Sequence, residues 1–540
     1  MPLDRCRGRG AISAGVRHFL PSPRYSGERG AEDATPADRH EAAAHIFERF
    51  LATHALVGLA ELLDRYPFEE DWARRQLEAW ARTGRVVPVR RGELEPVQWS
   101  APANLEQVQR GSLALLRREV VTCAPPQFAD FLLRWQGVHP ETRRGGSEGL
   151  GEALDRLQGL PLPAEVWEQT VLPARVPRYQ PRWLDEWTSG GSGVWVCRGE
   201  GDSGCGALAF FSRATLRQLP PPSGDLPALD ENASRVLECL RQRGASFLTD
   251  IAADIGLSPS VVRAALGTLM RRSVVTNDHY DVIRRGDEAA PEPIASNTRA
   301  PLPSLRELRR RMTGRPEGRW SLAAWGRPEP ELQALTQAAL LLQRYGVVAR
   351  ELALLDPWLL PWRVLYEVLS RMELAGDVRR GYFVEGLSGA QFALPEAAQR
   401  LQDLHLPSTA TAPLVLLHSM DPANLYGSGA PFDIALLDGG TRPLLRRAGN
   451  WLVLKAGRPV LLVEQQGKKL TALPSASRDE IVAAVKVLPS MFDASRAARH
   501  KLTVDEWNGQ PVTTTPGKDY LEAAGFVRDY QGMTLYAGWR

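Results

Sequence analysis

One supersecondary pattern returns three times in this chain, and it constrains the fold more than any other feature. The copies occupy residues 50–99, 239–284 and 341–394. In each, a helical stretch leads into a short helix, a turn follows, and a longer amphipathic helix comes next. The third copy shows the period plainly, with Val364, Leu365, Val368, Leu369 and Met372 on one stripe. A turn then opens a β-hairpin at Gly84–Arg85–Val86–Val87, Ser273–Val274–Val275 and Gly376–Asp377–Val378. Three helices and a two-stranded wing are the winged-helix plan, and three copies in register are a strong signal.

With 540 residues, the chain needs several cores rather than one. The fold class expected is α+β: tandem winged-helix domains with a β-rich, barrel-like C-terminal domain. Residues 1–38, rich in Gly, Pro, Ser and Arg and without a sustained period, read as a disordered tail or a mis-assigned start. Winged helices are expected at 39–102, 223–290 and 331–404. Residues 103–222 read as a helical segment plus a β-hairpin region, in which VWVCRGEGDSGCGALAFF forms strand, Gly-rich turn and strand. An arginine-rich linker or helix spans 291–330, with Leu305, Leu308 and Met312 on its apolar side. The β-rich domain takes 405–540.

Composition narrows the chemistry. Hydrophobic residues make up 44 % and the net charge is +3, which is globular composition. No apolar run approaches the roughly 20 residues of a spanning helix, so no membrane partner is expected. Cysteines 6, 123, 197, 205 and 239 are odd in number, scattered and without a CxxC pair. No disulfide framework is expected, a cytoplasmic location is the default, and no metal or other cofactor is implied. Lysine first appears at Lys455, so nearly all the basic charge is arginine, whose planar fork suits phosphate and base edges.

Several functions are excluded. No lysine is followed by Ser or Thr and no Asp-Glu-x-His occurs, so these 540 residues hold no P-loop helicase motor. The pair His40 and His45 resembles a zinc-protease motif, but five residues of helix set them about 140° apart. Gly145-Gly146-Ser147-Glu148-Gly149 fits a nucleophile elbow by letter, yet VHPETRR before it is no buried strand; a loop is expected.

Nucleic-acid contact is the remaining chemistry. Winged helices place the third helix in the major groove and wing residues on phosphate. Candidate DNA-binding residues are Arg90 and Arg91 in the first wing, Arg379 and Arg380 in the third, and Arg309 and Arg310 in the basic cluster at 299–319. The segment from Phe131 to Pro140 adds Arg134, Trp135 and His139, followed by Arg143 and Arg144. A ring, an amide and a histidine together can stack a base, read its edge and orient water. The same residues also admit a structural role, with Trp135 in the core, Gln136 capping the helix and His139 packed on Pro140.

FLLRWQGVHPETR, the following GLGEALDRLQGLPLPAEVWEQTVLPARVPRYQPRWLDE, RYGVVARELALLD, GYFVEGLSGAQFALP and the turn from Asp421 to Gly427 resemble the C-terminal, non-ATPase region of the large helicase-related (Lhr) family of DNA-repair helicases. The resemblance covers about residues 41–540 and implies tandem winged helices and a β-barrel, with RecA-like motor domains upstream. It also implies winged-helix similarity to AlkZ-like DNA glycosylases and an association with uracil removal. Those glycosylases carry Gln-x-Gln after an apolar helix; Gln136 falls at the first position, while Val138 replaces the second. Gln136 and the neighbouring Glu141 are therefore the candidate catalytic residues. The leading expectation is a DNA-binding repair module without its own motor, acting on single- or double-stranded DNA. The alternatives are a glycosylase for uracil or a damaged base, and a scaffold docking a separate RecA-like helicase subunit. Self-association is a further possibility.

Overall fold

The computed structural model describes residues 36–90, 96–118, 122–199, 205–222, 228–285, 318–404, 411–427, 429, 431–437, 439–442, 444–474, 476–493, 501–530 and 532–536. The expectations for the tail before Pro36, for Arg91 and for Arg309, Arg310 and their apolar side lie outside these residues. The chain divides into two compact units, Met1–Leu115 and Leu116–Arg540.

In the first unit, helices Pro36–Thr53, Leu59–Arg65 and Glu70–Arg82 precede strands Val87–Val89 and Gln98–Ser100. A short strand, Val57–Gly58, pairs with Gln98–Ser100, so the sheet runs first, third, second along the chain. That order defines a winged helix. Phe47, Leu62, Leu77 and Trp80 fill its core, and His40 stacks on Trp72. No metal-ligand grouping occurs among the described residues.

The second unit repeats this sheet order three more times, once where the repeat is not apparent in the sequence. Helices Gly146–Arg156, Leu172–Arg175 and Pro181–Ser189 lead into strands Gly193–Arg198 and Ala207–Ser212. Leu162 bridges Leu208 through two backbone hydrogen bonds of 3.0 and 2.8 Å, supplying the short first strand. Residues 146–212 are thus a further winged helix. The Gly145–Gly149 motif, expected in a loop, runs into this domain's first helix instead, and a Cβ on Gly149 would lie 2.1 Å from the Arg144 carbonyl oxygen.

The next copy has helices Glu231–Arg243, Leu248–Ile255 and Pro259–Arg271. Its hairpin corrects the sequence reading: Val275–Asn277 is followed by a helix, Asp281–Arg285, and its partner strand among the described residues is Trp320–Leu322. Ser246 bridges Trp320 on the other side, restoring the order. The last copy comprises helices Pro330–Tyr345, Arg350–Ala353 and Trp362–Ala375 with strands Val347–Val348, Arg379–Gly381 and Gln391–Ala393. Its stripe buries Leu365, Val368 and Leu369, while Val364 is exposed.

The C-terminal region is β-rich, and among the described residues its strands do not close into a barrel. Strands Leu414–His418, Trp451–Lys455, Arg458–Glu464, Lys469–Ala472, Glu506–Trp507 and Gln510–Pro511 lie in that spatial order in an open six-stranded sheet. Lys501–Val504, Gly532–Tyr536 and Val527–Asp529 form a separate three-stranded sheet. Helix Arg478–Val487 begins with a capping box from Ser477 and Glu480 and buries Ile481, Ala484 and Val485. The turn at Gly457 presses on helix Pro125–Trp135: a Cβ there would lie 1.8 Å from the Pro126 carbonyl oxygen. Only glycine fits that approach.

A second correction concerns cysteine. Cys197 and Cys205 face each other across the hairpin and form a disulfide, against the expectation of none.

Candidate nucleic-acid interface

Helix Pro125–Trp135 is largely buried, with Asp130 the polar side chain among its buried residues. Gln136 is its C-cap and is buried. Its Nε2 donates to the Arg344 carbonyl oxygen at 2.9 Å, and its Oε1 accepts from Arg175 Nη2 at 2.8 Å. Arg175 in turn makes a two-pronged pair with Asp421, at 2.8 and 2.9 Å. Both are buried, at 2 % and 1 % side-chain exposure. Asp421 Oδ1 also accepts from the Ala423 backbone at 2.8 Å, which fixes the turn that presents it. Arg446 donates to the Asp421 and Asn424 carbonyl oxygens. Gln136, Arg175 and Asp421 are one polar seam, in which a planar fork meets a carboxylate with good geometry.

Around this seam, Trp135 is buried and donates its indole N–H to the Gln343 carbonyl oxygen at 2.9 Å. The guanidinium groups of Arg156 and Arg400 lie 4.6 and 5.4 Å from its ring centre. Arg134 is held from three sides, by Asp130 at 2.8 Å, Glu141 at 2.6 Å and His139 Nε2 at 3.1 Å. Burial and the Arg134 charge lower the His139 pKa. Glu141 is exposed, and its bond to Arg134 holds its carboxyl below the usual range. Arg143 donates to the Val138 carbonyl oxygen at 2.9 Å. Arg144 is exposed, 3.3 Å from Glu152.

The wing candidates are dispersed. Arg90 is exposed at the edge of its wing in the first unit. Arg379 and Arg380 are half-buried in the last copy, where Arg380 stacks over Tyr366 and Phe392 at 5.4 and 5.8 Å and approaches Glu373. Tyr382, just beyond them, is 67 % exposed.

Sequence reasoning did not single out Arg175 or Asp421 as interacting residues. Nor did it mark Arg284, whose fork holds Glu168 and Asp185 at 2.8–2.9 Å. Glu168 lies in a π-helical turn, Trp167–Val171. The one local signal was the Asp-Pro-Ala-Asn turn, whose Asp and Asn both favour side-chain bonds to nearby backbone.

Residues 123–213 and 327–412 match family models described as large helicase-related protein, winged-helix domain, the third and fourth of that protein. Residues 231–279 match an IclR helix-turn-helix domain. The protein named Lhr helicase/probable uracil glycosylase from Mycolicibacterium smegmatis is 32 % identical over 486 residues, covering 85 % of this chain and 31 % of that protein. This chain is a relative of the large helicase-related proteins. Lhr helicase/uracil glycosylase from Escherichia coli is 29 % identical over 534 residues, covering 90 % of this chain and 33 % of that one. The chain therefore spans about a third of the length of these Lhr relatives. Streptomyces sahachiroi DNA glycosylase AlkZ aligns with a TM-score of 0.41 and 16 % identity, over 69 % of this chain and 97 % of that one. At that level the likeness carries no functional argument.

Proposed function

We propose that this chain is the DNA-binding part of an Lhr-type repair system, engaging DNA through its winged helices. The observation that carries this reading is the fourfold winged-helix sheet order, two copies of which match Lhr winged-helix families. In this reading an ATP-driven motor acts from outside these 540 residues, in which no lysine is followed by Ser or Thr as a P-loop requires. Arginine contacts to phosphate release counterions, so affinity should fall steeply with salt. Anisotropy titration of labelled DNA across a salt series tests this. A linear fall of log affinity with log salt is expected; no binding at low salt overturns the reading and leaves a scaffold that docks a helicase subunit.

Removal of uracil is the second reading, favoured by the names of both relatives. Gln136 and Glu141 are its candidate residues. Gln136 has both ends of its amide engaged within the seam, so a direct role requires Arg175 and the Arg344 carbonyl to release it. Incubation with a uracil-containing strand, followed by alkali, distinguishes the readings. Cleavage confined to the uracil strand supports the enzyme; an intact strand that is nonetheless bound leaves a DNA-binding module.

A further inference from the structure

The four winged helices differ at the position that would enter a DNA groove, and the difference is one of charge. In the first, Glu70–Arg82 sets Arg74, Arg75 and Arg82 against Glu70, Asp71 and Glu78, with Arg74 paired to Glu70 at 2.6 Å. In the second, Pro181–Ser189 has Arg182 against Asp185 and Glu186. In the last, Trp362–Ala375 sets Arg363 and Arg371 against Glu367 and Glu373; Arg363 faces Glu367 at 3.5 Å, and Arg371 pairs with Glu331. Pro259–Arg271 alone among them contains no acidic residue, and it carries Arg263 and Arg271, continuing to Arg272.

A phosphate-lined groove tolerates a helix without carboxylates far better than one with them. The outer face of this helix suits the approach as well. Ser260 and Ala264 are exposed and Arg263, Gly267 and Thr268 are partly so, while Val262, Ala265, Leu266 and Leu269 turn into the core. The preceding helix ends at Gly256 in the left-handed conformation (φ +63°), which sets the sharp turn of a helix-turn-helix. Independently, residues 231–279 match a helix-turn-helix family model.

Its far end is anchored. Gly199 donates to the Arg271 carbonyl oxygen at 2.9 Å and Ser273 Oγ to that of Cys197 at 2.7 Å. The hairpin closed by Cys197–Cys205 therefore holds the helix C-terminus and leaves its N-terminal half outward. In helix-turn-helix docking it is the N-terminal residues that meet base edges.

We infer that Pro259–Arg271 is the helix that reads double-stranded DNA, entering the major groove with Ser260, Arg263 and Ala264 foremost. This rests on the DNA-binding reading above and deepens it. The test uses the full chain and a labelled random-sequence duplex, with Arg263→Glu and Ala264→Glu as variants and Arg363→Glu as the matched charge change on another copy. The second variant adds a helix-compatible charge at an exposed position, so it tests the surface even if Arg263→Glu unfolds; thermal melting checks each. Both variants are expected to weaken duplex binding by about tenfold or more, with Arg363→Glu close to wild type. Wild-type affinity in folded Ala264→Glu, or an equal loss in Arg363→Glu, overturns the assignment while leaving DNA binding standing. A wild-type chain that binds no duplex overturns both.

Discussion

The winged helices at 231–322 and 330–393 share a sheet order but place their arginines to different ends. The reading-position helix of the first carries Arg263 and Arg271 with no carboxylate of its own. In the second, Arg344 is 1 % exposed and bonded to Asp356 and to the Gln158 carbonyl oxygen, and Arg380 stacks on Tyr366 and Phe392. The same residue type thus fastens domains in one copy and in the other sits on a helix that contains no acidic residue of its own. Fold alone does not tell these roles apart; the acidic residues that the reading-position helix itself carries or lacks do.

This contrast can be broken experimentally, most forcefully at the buried arginines. Arg175→Met strands Asp421 in the interior and is expected to cost about 3–5 kcal/mol. Urea unfolding would show it, while the folded fraction binds DNA as wild type does. Adding Asp421→Leu should recover much of the loss, because two well-packed apolar residues can replace a buried pair.

Acid should act on the interior too. Burial holds the His418 pKa down to about 4 from an ordinary 6.5. Between those values the unfolded chain binds a proton that the folded chain excludes. Stability therefore falls as pH drops through that window, by roughly 3 kcal/mol in all. A His418→Gln variant should flatten the pH dependence of thermal melting over this range. Gln136→Leu leaves the Arg344 carbonyl and one Arg175 donor short of a partner, for a loss of about 1–3 kcal/mol in the same urea assay. The smallest effect belongs to the exposed pair: Glu367→Gln beside Arg363 should shift stability by less than about 1 kcal/mol, within the scatter of repeated melts.

The winged-helix repeat was legible where helix period and turn residues were local. It was missed at 146–212 because the first strand there is a single bridging residue, Leu162, and the helical layer is broken by a π-helical turn that disturbs the period. The delayed strand Trp320–Leu322 was hidden by chain distance, since nothing near Val275 marks a partner so far ahead. At the site, the sequence brought out Arg134, Trp135, Gln136 and His139 as a cluster, and the structure keeps them together around one helix end. It could not disclose that Gln136 faces Arg175, because that contact depends on how separate domains pack. Equal letters also conceal unequal surroundings: Arg134 and Arg144 lie ten residues apart, one enclosed by three partners and the other at the surface.

The Arg175–Asp421 clamp joins residues 246 positions apart in the chain. Contacts of such separation form late, because the intervening loop must first be closed at an entropic cost. On the ribosome, the helix bearing Arg175 emerges long before its carboxylate, at about 5–20 residues per second. The Arg175–Asp421 pair between the winged helix at 146–212 and the Asp421 turn can therefore close only once that turn has been synthesised.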